Sequence, residues 1–267
     1  MKFRGAAPLS AAPPVGNGSS RLTTVIAALA GLLMGHALDL FFDRLYTDAP
    51  LGGPVYRCPE CRARLRPLYL LPLLGALGSR GRCPDCGRAL PLHAFLLAPG
   101  GTALFAASGL VFEDLGAALL AGFFATIFLA LAFTDIERRL LPNRVVYASI
   151  VLAVAFSWAW PELSVLQIFG GGAAALVITS ILYAAGRGAF GFGDVKLSVL
   201  MGLVVGFPSV LVGMFMGAFA AGVFVLPLLL LRVVGRRDYI AYGPFIGVGA
   251  VIALFWGDAI WDWYSPG

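Results

Sequence analysis

Long apolar runs, separated by short polar or Pro/Gly-rich intervals, recur from residue 23 almost to the end of the chain. Eight can be marked, at 23–42, 92–112, 115–134, 144–160, 163–185, 195–207, 209–231 and 240–257. Most approach the ~20 residues a helix needs to cross the hydrocarbon core of a bilayer. The runs are continuous rather than alternating, which predicts helices and not the strands of a barrel. The sixth run is short and is stopped by Pro208. Charge supports keeping it: the segments on either side, 186–196 and 232–239, are both basic, and two loops on one face require an even number of spans between them. The pattern predicts an all-α polytopic membrane protein with about eight transmembrane helices.

The segment before the first run, "MKFRGAAPLSAAPPVGNGSSRL", is rich in Pro, Gly, Ser and Ala and reads as a disordered tail over 1–22. Residues 23–42 read as a first transmembrane helix of the signal-anchor type, because a basic segment and further spans follow. Residues 43–91 form a separate cysteine-bearing domain, 92–257 the main membrane domain and 258–267 a short external tail.

Composition agrees with this reading. The 267 residues are 60% hydrophobic and 12% charged, with a mean hydropathy of +0.88, which excludes an ordinary soluble domain. The formal charge of +5 is a topological signal rather than a sign of nucleic-acid binding, so the expected surroundings are a lipid bilayer and no nucleic acid. Segment 43–91 and the loops at 135–144, 186–196 and 232–239 together carry 16 of the 19 Lys and Arg. That face is predicted to be cytoplasmic and the N-terminus external. Tryptophans 158, 160, 256, 261 and 263 fall near the opposite ends of spans, as an interfacial belt would.

The cysteines fall in two C-x2-C pairs, Cys58/Cys61 and Cys83/Cys86, with Gly87 after the second. Four thiolates so spaced suit a tetrahedral all-cysteine zinc site. A reducing cytoplasm favours metal over disulfide, a metal-free thiol cluster being the alternative. With every coordination position filled by sulfur, the zinc would be structural.

Two acids stand at predicted span edges on that same face. Asp135 lies in "FTDIERRLLPN" at the end of the third span, and Asp194 lies in "GFGDVKL" in the loop opening the sixth. Carboxylates that share a site cannot both ionise easily, so one holds a proton while the other accepts one. Such a pair can activate water against a peptide carbonyl and protonate the leaving amine. Blander readings stand beside this one. Asp194 could be a helix N-cap, Asp135 a solvated loop charge, and Gly191 and Gly193 a tight turn. Lys196 could tune the pair or simply snorkel to the interface. His36 and His93 read as packing or interface residues.

The order of these motifs resembles the prepilin peptidases, also called prepilin leader peptidase/N-methyltransferases. Two cysteine pairs come first, then Asp135 followed by Leu141-Pro142-Asn143, then Gly191-x-Gly193-Asp194-x-Lys196. "GHALDLFFDRLY" (35–46) and "IAYGPFIGVGA" (240–250) are similar to the family's first-span ending and to its closing IPFGPFL-type span. The resemblance implies an aspartic endopeptidase of the bacterial inner membrane. It would cut the basic leader of type IV prepilins or pseudopilins on the cytoplasmic side, after a glycine, with Asp135 and Asp194 as the catalytic pair and 92–257 as the peptidase domain. It also implies methylation of the new N-terminus from S-adenosylmethionine. The chain departs from the family where Asn143 replaces the Asp after Leu-Pro and Asp39 replaces the first-span Asn. No G-x-G-x-x-G motif following a strand gives independent support for a methyl-donor site. A transporter or an assembly scaffold docking partners through the cysteine domain is the contrasting reading.

Overall fold

The computed structural model describes residues 18–47, 58, 60–61, 63, 82–160, 163–186, 190–233, 235 and 240–265. The tail up to residue 17, most of the 43–91 domain, Glu162 and the loop arginines 187, 236 and 237 lie outside the described residues. The described residues contain eight α-helices: α1 (Gly18–Thr47), α2 (His93–Val111), α3 (Leu115–Arg138), α4 (Asn143–Ala155), α5 (Val165–Ala185), α6 (Phe192–Val205), α7 (Ser209–Leu230) and α8 (Gly243–Tyr264). Each coincides with one predicted run. Six of them, all but α4 and α6, are long and apolar enough to cross a membrane. The two others have 13 and 14 residues, so the expected eight spans become six of full length and two short helices. Among the described residues the structure has no strand, and an isolated bridge between Arg82 and Ala89 is its sole β feature.

The helices alternate in direction. The ends of α1, α3, α5 and α7 therefore share one face with the starts of α2, α4, α6 and α8. α3 is enclosed by α1, α2 and α8, and α6 by α4, α5, α7 and α8. Their inward stripes recur every three or four positions, as helix packing requires. Phe124, Phe128 and Leu131 of α3 are fully buried, as are Leu197, Leu200 and Val204 of α6 and Ala250 of α8. Large apolar side chains such as Leu33, Leu166, Val177 and Leu230 face outward, as a lipid-facing surface demands.

Three helix pairs meet through facing glycines: Gly31 with Gly101, Gly171 with Gly202, and Gly213 with Gly249. At each, an added Cβ would strike the partner backbone. Lipid tails are as apolar as Leu, so close backbone approach through small residues is a main source of association between membrane helices. At the far end Trp158 and Trp263 are exposed, whereas Trp160 is buried and packs on Phe112 with ring centroids 6.4 Å apart.

Candidate active site

Asp135 stands in the last turn of α3. That helix ends where Arg139 turns left-handed (φ 53°), its N–H bonding the Asp135 carbonyl at 2.9 Å. The Asp135 side chain is not a solvated loop charge. It is 3% exposed, and its Oδ2 accepts the backbone N–H of Gly243, at the start of α8, at 2.8 Å.

Asp194 lies inside α6 rather than in the loop before it. Gly191 is the N-cap, and the Asp194 carboxylate reaches back from the third helical position to accept the Gly191 N–H at 3.0 Å. The N-cap role expected for Asp194 therefore belongs to Gly191, because a carboxylate at that third position satisfies the N-cap amide. Asp194 is 4% exposed.

The donors of the two carboxylates lie side by side: Phe190, directly before Gly191, packs on Tyr242, directly before Gly243, with ring centroids 5.3 Å apart. Each carboxylate is anchored through Oδ2, and among the described residues neither Oδ1 has a protein partner. The pair thus presents two oxygens that are free for water or substrate.

The flanking motif residues hold the turns together. Gly193 packs under Leu141, whose Cδ1 would stand 3.2 Å from an added Cβ. Pro142 is the buried N-cap of α4 and accepts from the N–H groups of Val145 and Val146. Lys196 donates to Asn143 Oδ1 at 2.5 Å, with its ammonium over the rings of Tyr147 (5.2 Å) and Phe192 (4.9 Å). It thereby ties the Leu-Pro-Asn turn to α6.

A second cluster on this face escaped the sequence reading. His93, at the start of α2, is buried between Glu137 of α3 and Asp39 of α1. Its backbone N–H donates to Glu137 Oε1 at 3.0 Å, its Nδ1 pairs with Glu137 Oε2 at 2.7 Å, and its Nε2 lies 3.9 Å from Asp39 Oδ1. His93 is therefore an electrostatic joint of three helices rather than a packing residue. Spacing along the chain gave no signal of it. Gly243 was also missed; its one sequence cue is a glycine standing directly before Pro244 at the opening of an apolar run.

The four cysteine sulfurs lie within 4.8 Å of one another. Cys58 and Cys86 are 3.6 Å apart, and Cys61 and Cys83 3.8 Å. Tetrahedral sulfurs at ~2.3 Å from a zinc ion would be about 3.8 Å apart, so the donor set fits. Each pair sits on a turn closed by backbone bonds, Cys58 N–H to Ala63 and Cys83 N–H to Arg88. Gly87 takes φ +70°, a left-handed conformation that glycine adopts freely. Burial opposes a thiolate at Cys58, but backbone N–H groups of Cys61 and Glu60 and the neighbouring thiols outweigh it and bring the pKa down to about 7. At Cys61 the Ala63 backbone N–H favours the thiolate, but burial and the three other sulfurs prevail and push it up to about 12. Four sulfurs this close need a cation before all can ionise. Cys58 and Cys83 pack with Leu90 and Phe95, which seats the module on the first turn of α2.

Comparison with known proteins accords with this arrangement. Residues 122–226, which carry both aspartates, match the type IV leader peptidase family. Residues 29–112, which carry the cysteines, match the bacterial peptidase A24 N-terminal domain. The chain is a member of the type IV leader peptidase family. Relatives include prepilin leader peptidase/N-methyltransferases of Bacillus subtilis (strain 168), 26% identical with 90% of this chain and 96% of the relative covered, and of Aeromonas salmonicida (strain A449), 29% identical with 78% and 73% covered. A third, from Pseudomonas aeruginosa, is 26% identical over 78% of this chain and 73% of its own. No solved structure is significantly similar to the chain. Within the chain, the two matched regions meet in the His93–Glu137 contact, among others.

Proposed function

We propose that this protein is a membrane-embedded aspartic endopeptidase that cleaves the leader of type IV prepilin or pseudopilin precursors at the cytoplasmic side of the bacterial inner membrane. The observation that carries the reading is the meeting of two buried carboxylates, Asp135 and Asp194. They come from separate helices whose openings meet in the Phe190–Tyr242 ring contact, and are each fixed by one backbone N–H. The relatives' names supply the substrate class. The basic loops on the aspartate face support the cytoplasmic side.

In this mechanism the ionised member of the pair takes a proton from a water molecule as its oxygen adds to the scissile carbonyl carbon. The protonated member gives its proton to the carbonyl oxygen. The tetrahedral species then breaks its C–N bond, returning one proton to a carboxylate while the departing amine receives one. Gly191 and Gly243 hold the two carboxylates in place through each step. Cys58, Cys61, Cys83 and Cys86 would hold a structural zinc that stabilises the turns against α2. The relatives' names also include an N-methyltransferase. Among the described residues no donor set singles out a place for S-adenosylmethionine, so the peptidase step alone is derived from this chain's side chains.

The test is incubation of detergent-purified protein with a prepilin-type precursor, followed by mass spectrometry with and without S-adenosylmethionine. Cleavage after the leader glycine, absent in Asp135→Asn and Asp194→Asn, is the expected result. Unimpaired cleavage by either variant would remove the aspartate pair from the mechanism.

A further inference from the structure

Tyr242 immediately precedes Gly243 at the opening of α8. Its ring packs edge-on against Phe190 at 5.3 Å and against Phe245 at 6.1 Å. Phe190 leads directly into Gly191, whose N–H holds Asp194, while Gly243, on the other side, holds Asp135. Tyr242 therefore sits between the two backbone donors that position the carboxylates. The residue is half-buried, yet among the described residues its hydroxyl makes no hydrogen bond to protein. The hydroxyl keeps some exposure to solvent, so it is open to a bound ligand.

The chemistry of the site leaves a role for that hydroxyl. Addition of water to the scissile carbonyl draws electron density onto its oxygen before the proton of the acidic aspartate is fully transferred, and the aspartate pair has one proton to offer. A neutral O–H donor fixed at the edge of the site would stabilise that charge without changing its own protonation state. We propose that the Tyr242 hydroxyl contacts the substrate directly, donating a hydrogen bond to the scissile carbonyl oxygen while water adds and that oxygen takes the proton of the acidic aspartate. Tyr242 keeps its proton throughout, and the bonds made and broken remain those of the two-carboxylate reaction. This inference rests on the peptidase reading. The chain differs here from the IPFGPFL-type pattern its closing span resembles, in which Phe precedes the glycine.

The experiment compares full-length wild type with Tyr242→Phe, which removes the hydroxyl and keeps the ring packing on Phe190 and Phe245. Cleavage kinetics of a prepilin-type precursor and the melting midpoint in the same detergent are measured together. The expected result is a kcat lowered about 100-fold with little change in KM, the low end of what one such hydrogen-bond donor supplies. The melting midpoint should stay at the wild-type value. A wild-type kcat in Tyr242→Phe would overturn the proposal and leave the peptidase reading standing. So would a change confined to KM, or a loss of kcat that tracks a fallen melting midpoint. Failure of wild type itself to cleave would overturn the peptidase reading, and this proposal with it.

Discussion

Gly243 and Asp135, on helices whose sequences lie far apart, share a 2.8 Å hydrogen bond with no space for a side chain between them. A Cβ on Gly243 would stand 2.7 Å from Asp135 Oδ2. The glycine lets the backbone approach close enough to fix the carboxylate. Gly243→Ala should therefore push Asp135 off its donor and lower kcat by about 100-fold, the cost of a misplaced catalytic group. Asp135 itself should remain folded into α3, so the far-ultraviolet circular dichroism should be unchanged. Steady-state cleavage alongside the spectrum checks both halves.

Asp194→Asn should lower cleavage by at least about 1,000-fold, because an amide cannot take a proton from water. The amide oxygen can still accept the Gly191 N–H, so α6 should start where it does now. Expression level, metal content and melting midpoint should match wild type. A variant retaining a tenth of normal turnover would exclude Asp194 from proton transfer.

Purified protein should carry about one zinc per chain, as four sulfur ligands require. Cys83→Ser should lose most of it, since Cys83 is both a candidate ligand and a buried contact of Phe95. Gly87→Ala should keep the four ligands but strain the turn by about 1–2 kcal/mol, and so bind the metal more weakly. Elemental analysis after dialysis against a graded chelator would separate the two outcomes.

The His93–Glu137 contact predicts a stability effect apart from catalysis. His93→Ala leaves Glu137 without its close partner in a poorly solvated place, at a cost of about 2–4 kcal/mol. That corresponds to a fall of roughly 4–16 °C in the melting midpoint. Replacing His93 and Glu137 together by leucine should recover the Glu137 share of the loss, because of the joint's charges only the more distant Asp39, 3.9 Å from His93, then remains. A double variant no more stable than His93→Ala would show that the joint does not act as a pair.

The helices were legible because bilayer spans must be long and apolar, and each predicted run coincides with one helix. The errors arose at their edges. The charges of Asp194 and Lys196 made the start of α6 read as loop, although a carboxylate in the first turn is a helix-opening feature. The cysteine spacing and Gly87 announced their turns because that geometry is local. The joint of Asp39, His93 and Glu137 and the donor role of Gly243 did not show. They depend on which helices become neighbours, and hydropathy carries no information about helix pairing in lipid.

The shortness of α6 has a consequence for the bundle around it. Its 14 residues rise about 21 Å, against a hydrocarbon core of ~30 Å, so the helix that opens on Asp194 is too short to match an undistorted bilayer. Enclosed by α4, α5, α7 and α8, it meets neighbouring helices rather than lipid, so the shortfall falls inside the bundle. At least one end of α6 therefore stops inside the depth that the full-length α5, α7 and α8 span.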